Sequence, residues 1–146
     1  MDIEKAVTGL YDRLIDAWNA ADAAGMASVI SKDGLVIGFD GSQMTGREQV
    51  AEELGRIFED HTPARYVTKV RSVHELHSGA AMLHAVAGMT SPDGSALMPD
   101  RNSIQVIVAL QEDGEWKVVL FQNTPARFDG RPGLASALTG ELTELL

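Results

Sequence analysis

No cysteine occurs in the 146 residues, which removes disulfide scaffolds, Cys-ligated zinc, iron–sulfur centres and thiol nucleophiles. Basic residues are also scarce: 12 Lys and Arg against 21 Asp and Glu give a net charge of -9. With a pI near 4.7, such a surface repels phosphate backbones and anionic lipid, so neither nucleic acid nor a membrane is an expected partner. No apolar run approaches the ~18 residues a membrane helix needs. The opening Met1-Asp2-Ile3-Glu4-Lys5 lacks the basic region and apolar stretch of a signal peptide, which makes the cytoplasm the expected setting. Phosphate-cradling loops are missing, since Gly38-Phe39-Asp40-Gly41 has neither the spacing nor the following Lys. A GxSxG nucleophile motif is absent too.

What is present describes one ordinary domain spanning 1–146, with 45% hydrophobic and 23% charged residues and a length within the roughly 100–200 residues usual for one domain. Ile3, Val7, Leu10, Leu14 and Trp18 step by three or four, predicting an amphipathic helix capped by Asp2. A short second helix is expected from about Ala23 to Ile30, and Gly34 breaks the pattern. Leu35 to Phe39 reads as a strand ending in an Asp40-Gly41 turn. Thr45-Gly46-Arg47-Glu48 matches a capping box for a third helix, carried on by Val50, Leu54, Ile57 and Phe58 and closed by Pro63. Strands are expected over Tyr66–Val73, Ala80–Met89, Asn102–Leu110 and Trp116–Thr124, with a turn at Ser91-Pro92-Asp93-Gly94. Helices first and a strand meander after make an α+β fold, with helices on one face of a mostly antiparallel sheet. Residues 1–127 form the core. Residues 128–146 are a C-terminal extension whose Leu134, Leu138, Leu142 and Leu145 keep helical spacing.

Asp113-Gly114 favours a two-residue type I′ hairpin loop, which sets the register by counting back. Gln111 then faces Trp116, Ala109 faces Val118, Ile107 faces Leu120 and Gln105 faces Gln122. The opposite side carries Leu110, Val108, Val106 and Ile104 against Lys117, Val119, Phe121 and Asn123. Both sides are apolar, so both need cover: one from the helices, the other from a second layer or another subunit. A homodimer through the sheet is the economical solution. Gln105 and Gln122 either satisfy each other or line a ligand pocket. The sequence leaves open which face lines it.

Of the four histidines, His61, His74, His77 and His84, none stands in an HxH or HExxH pattern, so no metal site is expected. His84, in mid-strand between Leu83 and Ala85, is either a satisfied buried side chain or a pocket acid/base group. Tyr66 offers a hydroxyl to a pocket or packs in the core. Trp18, Phe39, Phe58 and Trp116 form core or wall an apolar cavity, and Arg101 closes a pocket mouth or stands exposed. An apolar pocket with amides, a histidine and a tyrosine suits a neutral, conjugated, hydrophobic ligand. Without a strong base, the accessible chemistry is isomerisation, cyclisation or dehydration aided by templating.

The run Asp113-Gly114-Glu115-Trp116-Lys117-Val118, followed by Phe121-Gln122-Asn123-Thr124-Pro125, resembles the closing strand of the SgcJ/EcaC family within the NTF2-like, SnoaL-like superfamily. Ala17-Trp18-Asn19-Ala20-Ala21-Asp22, the strand through Phe39 and the entry Thr45-Gly46-Arg47-Glu48 resemble it as well. The resemblance extends from Ile3 to Arg127; Gln122-Asn123-Thr124 is its more family-specific element. It implies a curved sheet wrapping three helices as a cone, an apolar pocket at the wide end and a dimer through the sheet. That superfamily includes ketosteroid isomerases, polyketide cyclases, dehydratases and plain ligand-binding modules. SgcJ-type members occur among genes for enediyne assembly, which implies a cofactor-free tailoring role on a polyketide-derived polyene and a polyketide synthase as a further partner. Carrying over the isomerase pattern puts Leu14 at its helix-one tyrosine and Gly38 at its aspartate, with Asp40 two residues on as a substitute. Gln105, Gln122, His84, Tyr66 and Asp40 are thus the candidate catalytic groups. Trp18, Phe39, Phe58, Arg101, Trp116 and Asn123 are the candidate ligand contacts.

Overall fold

The computed structural model describes residues 2–146. Helix α1 (Ile3–Asn19) opens with Asp2 accepting from the Lys5 amide at 3.2 Å, which satisfies one of the donors a helix start leaves free. It buries Val7, Leu10, Tyr11, Leu14 and Ile15 along one stripe. Helix α2 (Ala23–Ser28) is capped in the same way by Asp22. Strand β1 (Ile30–Ile37), the short β2 (Gln43–Thr45) and helix α3 (Arg47–Asp60) follow. The cap of α3 is Gly46, not Thr45, and no side chain caps it. Gly46 takes a φ of 91°, in the left-handed region that a Cβ disfavours, and the Thr45 amide bonds Gln49 Oε1 at 2.6 Å instead.

Strands β3 (Tyr66–His77), β4 (Ala80–Met89), β5 (Ser103–Glu112) and β6 (Glu115–Pro125) come next, with one 3-10 turn at Pro99–Arg101, and helix α4 (Pro132–Thr143) ends the chain. The six strands form one sheet in the order β2-β1-β6-β5-β4-β3. All neighbours are antiparallel except β1 and β6. The fold is α+β, with helices α1 to α3 against the inner sheet face, where Ala81, Leu83, Ala85, Ala87, Ile107, Ala109 and Val118 are buried. Among the described residues, no helix is long and apolar enough to cross a membrane.

The outer face has its own small core: Val86, Leu138 and Leu142, with Val67, Leu97, Ile104 and Phe128 packed against them. Helix α4 is therefore a second layer over one end of this face; of the spaced leucines Leu138 and Leu142 are buried against the sheet, while Leu134 and Leu145 are exposed.

The β5–β6 hairpin turns at Asp113 and Gly114, both with positive φ, as a type I′ loop requires. Pairing runs as expected through Glu112 with Glu115, Gln111 with Trp116 and Ala109 with Val118, then shifts. Val119 is an extra residue, a bulge, so Val108 faces Leu120 and Gln105 faces Asn123. One inserted residue turns every later side chain on β6 to the other face. The expected Gln105–Gln122 pair is corrected accordingly: Gln105 and Asn123 point inward and buried, and Gln122 is exposed on the outer face.

Candidate ligand-binding site

Between the helices and the inner sheet face lies a cavity of about 330 Å³, within the range of small-molecule sites. Its apolar walls come from Leu14 and Trp18 on α1, Met26 on α2, Leu54 and Ile57 on α3, and Val36, Met89 and Phe121 on the sheet. Tyr66, Asn123, Asp40, Ser42 and Arg101 are its polar margin.

Behind the wall runs a chain of hydrogen bonds with a single direction. Tyr11 donates its hydroxyl proton to Gln105 Oε1, and Gln105 Nε2 makes a longer contact of 3.5 Å to Asn123 Oδ1. Asn123 Nδ2 then donates to the Tyr66 hydroxyl oxygen at 3.0 Å. Tyr11 and Gln105 are fully buried, and Asn123 is 5% exposed; polar groups at such depth are costly unless paired, and here each finds a partner. The Tyr66 hydroxyl accepts from Asn123, and no acceptor for its own proton occurs among the described residues. Its O–H is the donor that the relay leaves for the cavity, and bonds that run one way polarise the next in line. Burial raises the pKa of both tyrosines above the ordinary phenol value, Tyr11 further than Tyr66. Both are neutral donors at physiological pH.

The backbone of Tyr66 is fixed from helix α1. Asn19 Nδ2 donates to the Tyr66 carbonyl at 3.1 Å, and Asn19 Oδ1 accepts from the Tyr66 amide at 2.8 Å. Trp18 Nε1 donates to the Ala64 carbonyl at 2.9 Å. Its ring meets Phe58 edge-to-face and Tyr66 at a tilt, each with centroids 5.5 Å apart.

At the rim, Arg101 lies 5.5 Å over the ring of Phe39, a cation–π contact. Asp40 is exposed, and its Oδ1 accepts from the Ser42 amide at 2.9 Å. That backbone bond, more than any other group, holds its carboxyl below the usual range. An ionised, solvated carboxylate with a lowered pKa is a weak proton acceptor.

Six of the expected site residues therefore meet at one cavity: Trp18, Phe39, Asp40, Tyr66, Arg101 and Asn123. Gln105 stands behind it, bonded to Asn123. The other four lie elsewhere. His84 is half-buried on the outer face, in a groove between the sheet and α4 that Arg71, Phe128 and Glu141 also line, because inward positions on β4 are the odd-numbered Ala81, Leu83, Ala85 and Ala87. Gln122 is outside for the register reason given. Phe58 packs on Trp18 behind the wall, and the residue before it, Ile57, faces the cavity instead. Trp116 packs against the core beside Lys117 and Val29, away from the cavity. Sequence reasoning missed Tyr11 and Asn19. A hydroxyl on the buried stripe of α1 was the available signal for Tyr11, since a buried phenol needs a partner.

The SnoaL-like domain family matches residues 7–123 of the chain. Comparison with curated proteins gave no match. The fold is similar to a domain of unknown function with a cystatin-like fold from Nostoc punctiforme (TM-score 0.80, 23% identity, covering 91% of this chain and 83% of that one). It is also similar to a putative calcium/calmodulin-dependent protein kinase type II association domain from Thiobacillus denitrificans (0.71, 19%, 82% and 94%). A ketosteroid isomerase-like protein from Erwinia carotovora atroseptica is a further likeness (0.66, 13%, 84% and 95%). At these identities the structural likeness shows the fold, which is NTF2-like and cystatin-like, and fold alone does not assign chemistry. The family match runs from the first buried turn of α1 to Asn123, which passes the relay on to Tyr66, and the chain belongs to the SnoaL-like domain family.

Proposed function

We propose that this chain binds a hydrophobic, oxygen-bearing polyene or polyketide intermediate in the cavity and assists its isomerisation, cyclisation or dehydration. The Tyr66 O–H, left without an acceptor at the polar margin of an apolar cavity, carries the reading. Such a donor orients a carbonyl oxygen and stabilises charge that develops on it, while the walls hold a flexible chain in a reactive shape. A role on the way to an enediyne core is the finer form of this proposal, supported by the SgcJ/EcaC-like run through Gln122-Asn123-Thr124. No cofactor is called for. A non-catalytic carrier or sequestering module is the second reading, favoured by the lack of a well-placed base: Asp40 is solvated at the rim and His84 lies on the other sheet face.

Calorimetric titration with the neutral ketone 2-acetonaphthone and the shape-matched hydrocarbon 2-ethylnaphthalene tests the binding site. Tyr66→Phe is expected to weaken the ketone about fivefold, the worth of one modest hydrogen bond, and to leave the hydrocarbon unchanged. Equal loss for both, or no ketone binding to the wild type, overturns the reading. Product analysis with a conjugated polyene ketone then separates turnover from carriage.

For the outer face we propose a second copy of the chain as partner. Leu35, Leu120, Val108 and Met82 face one another across four strands, half-buried and beyond the cover of α4. Copies that each carry a charge of -9 meet most cheaply through such an uncharged patch. Sedimentation velocity is expected to show a dimer that Val108→Glu dissociates. A wild-type monomer would leave this face free for a synthase.

A further inference from the structure

Arg101 is the unusual residue of the cavity. Its backbone is held by the 3-10 turn after Met98, where its amide donates to the Met98 carbonyl at 2.9 Å, and Met98 is tied to the Met89 carbonyl in turn. In a chain with nearly twice as many acids as bases, a guanidinium ordinarily has a carboxylate close by. Among the described residues, the ion pairs involve Arg56, Lys69, Arg71, Lys117 and Arg127, and none involves Arg101. Asp40, also at the rim, spends its Oδ1 on the Ser42 amide; the Arg101 charge adds to holding its carboxyl ionised, without a salt bridge between them.

The polar margin is thus rich in free donors. Tyr66 accepts one bond, from Asn123, and its own proton is free. The guanidinium of Arg101 rests on the Phe39 face with its N–H edge unspent, and its charge reaches the Tyr66 hydroxyl. A neutral ketone would use one of these groups. A carboxylate offers two acceptor oxygens in the plane that a guanidinium matches, and bonds of this charged kind are about twice as strong as neutral ones.

We infer that the ligand of this cavity is an amphipathic carboxylate, its apolar body between Leu14, Trp18 and Phe121 and its carboxylate at the rim on Arg101. The inference rests on the cavity being the ligand site, and it adds the ligand's charge and direction of entry. The acid group stays at the mouth, where water still reaches it, which avoids the penalty of full burial. The hydrocarbon end goes in first.

Titration of the full chain with 2-naphthoate and with 2-acetonaphthone, alike in shape and different in charge, tests this. The wild type is expected to bind the carboxylate at least tenfold more tightly than the ketone at low salt, with the margin narrowing as salt is raised. Arg101→Gln should erase the margin through loss of naphthoate affinity, and Arg101→Lys should keep part of it. Circular dichroism of each variant confirms folding, and ketone binding that persists in Arg101→Gln and still depends on Tyr66 reports an intact cavity. Ketone binding with no preference for naphthoate overturns the inference and leaves the cavity reading standing. A naphthoate preference that survives Arg101→Gln overturns it as well. Binding of neither probe overturns both.

Discussion

Asn19, the last residue of α1, holds both backbone groups of Tyr66, the first residue of β3, 47 positions later. One amide side chain thereby joins the helix that walls the cavity to the strand that carries its free donor. Asn19→Ala removes both bonds and leaves a half-buried N–H and C=O without partners. A loss of about 1–3 kcal/mol in stability is expected, read as a lower urea midpoint. Affinity for 2-acetonaphthone should fall along with it, because the Tyr66 hydroxyl loses its fixed position. Asn19→Ala with ketone affinity intact would show that Tyr66 is positioned by packing on Trp18 alone.

Tyr11 gives an alkaline signature. Burial raises its pKa above the ordinary 10.0, so the neutral phenol is the form that folding favours. The stability this contributes is fully present below the unfolded pKa of 10.0 and is lost as pH rises through the higher folded value. Tyr11→Phe leaves Gln105 Oε1 buried without its donor and should cost about 1–3 kcal/mol at pH 8. The gap between wild type and Tyr11→Phe is expected to shrink as pH is raised above about 10. Urea unfolding at a series of pH values measures it.

The helices and long strands were legible because each has a clear period: three-to-four spacing from Ile3 to Trp18, and turn residues at Asp113-Gly114. The site was legible only as far as register could be counted. Val118-Val119-Leu120-Phe121 is an unbroken apolar run, and nothing in such a run marks one residue as extra. Counting without the Val119 bulge puts Gln122 where Asn123 stands. The side on which His84 lies is not legible for a related cause, since β4 is apolar on both faces under the helices and α4, and alternation no longer tells inside from outside. The relay escaped because it joins residues from α1, β3, β5 and β6 that no local pattern links.

Gly34, which breaks the helical pattern in the sequence, lies within β1, where the register against β6 shifts between Ile30 and Leu35. A Cβ there would come within 2.7 Å of the Val118 carbonyl oxygen and 2.8 Å of Ile30 Cγ2. The first contact is backbone and cannot step aside cheaply. Gly34→Ala is expected to cost about 1–3 kcal/mol, the range for overpacking a filled site. Gly55, on α3, has open space around its missing Cβ, so Gly55→Ala should be neutral to stabilising by up to about 1 kcal/mol. Paired thermal melts of the two variants check the contrast.

Helix α4 is held by two kinds of contact, and their magnitudes differ. Glu141 bonds Arg71 and reaches Lys69 at 3.1 Å, and these bonds lower its carboxyl to about 2. A depressed acid contributes stability above its ordinary pKa and loses it as pH falls through about 2. The pair is open to water, so its contribution is small and screened by salt. Leu142, by contrast, is fully buried among Val86 and the outer-face residues. Leu142→Ala is expected to cost about 2–5 kcal/mol and to raise hydrogen exchange throughout α4 at neutral pH. Glu141→Gln should leave the global urea midpoint nearly unchanged and speed α4 exchange modestly at neutral pH. Its difference from the wild type should shrink as pH falls from about 4.5 toward 2, where about half of the native carboxyls are protonated. If Glu141→Gln proves as damaging as Leu142→Ala, then the ion pairs and not the leucines anchor this helix.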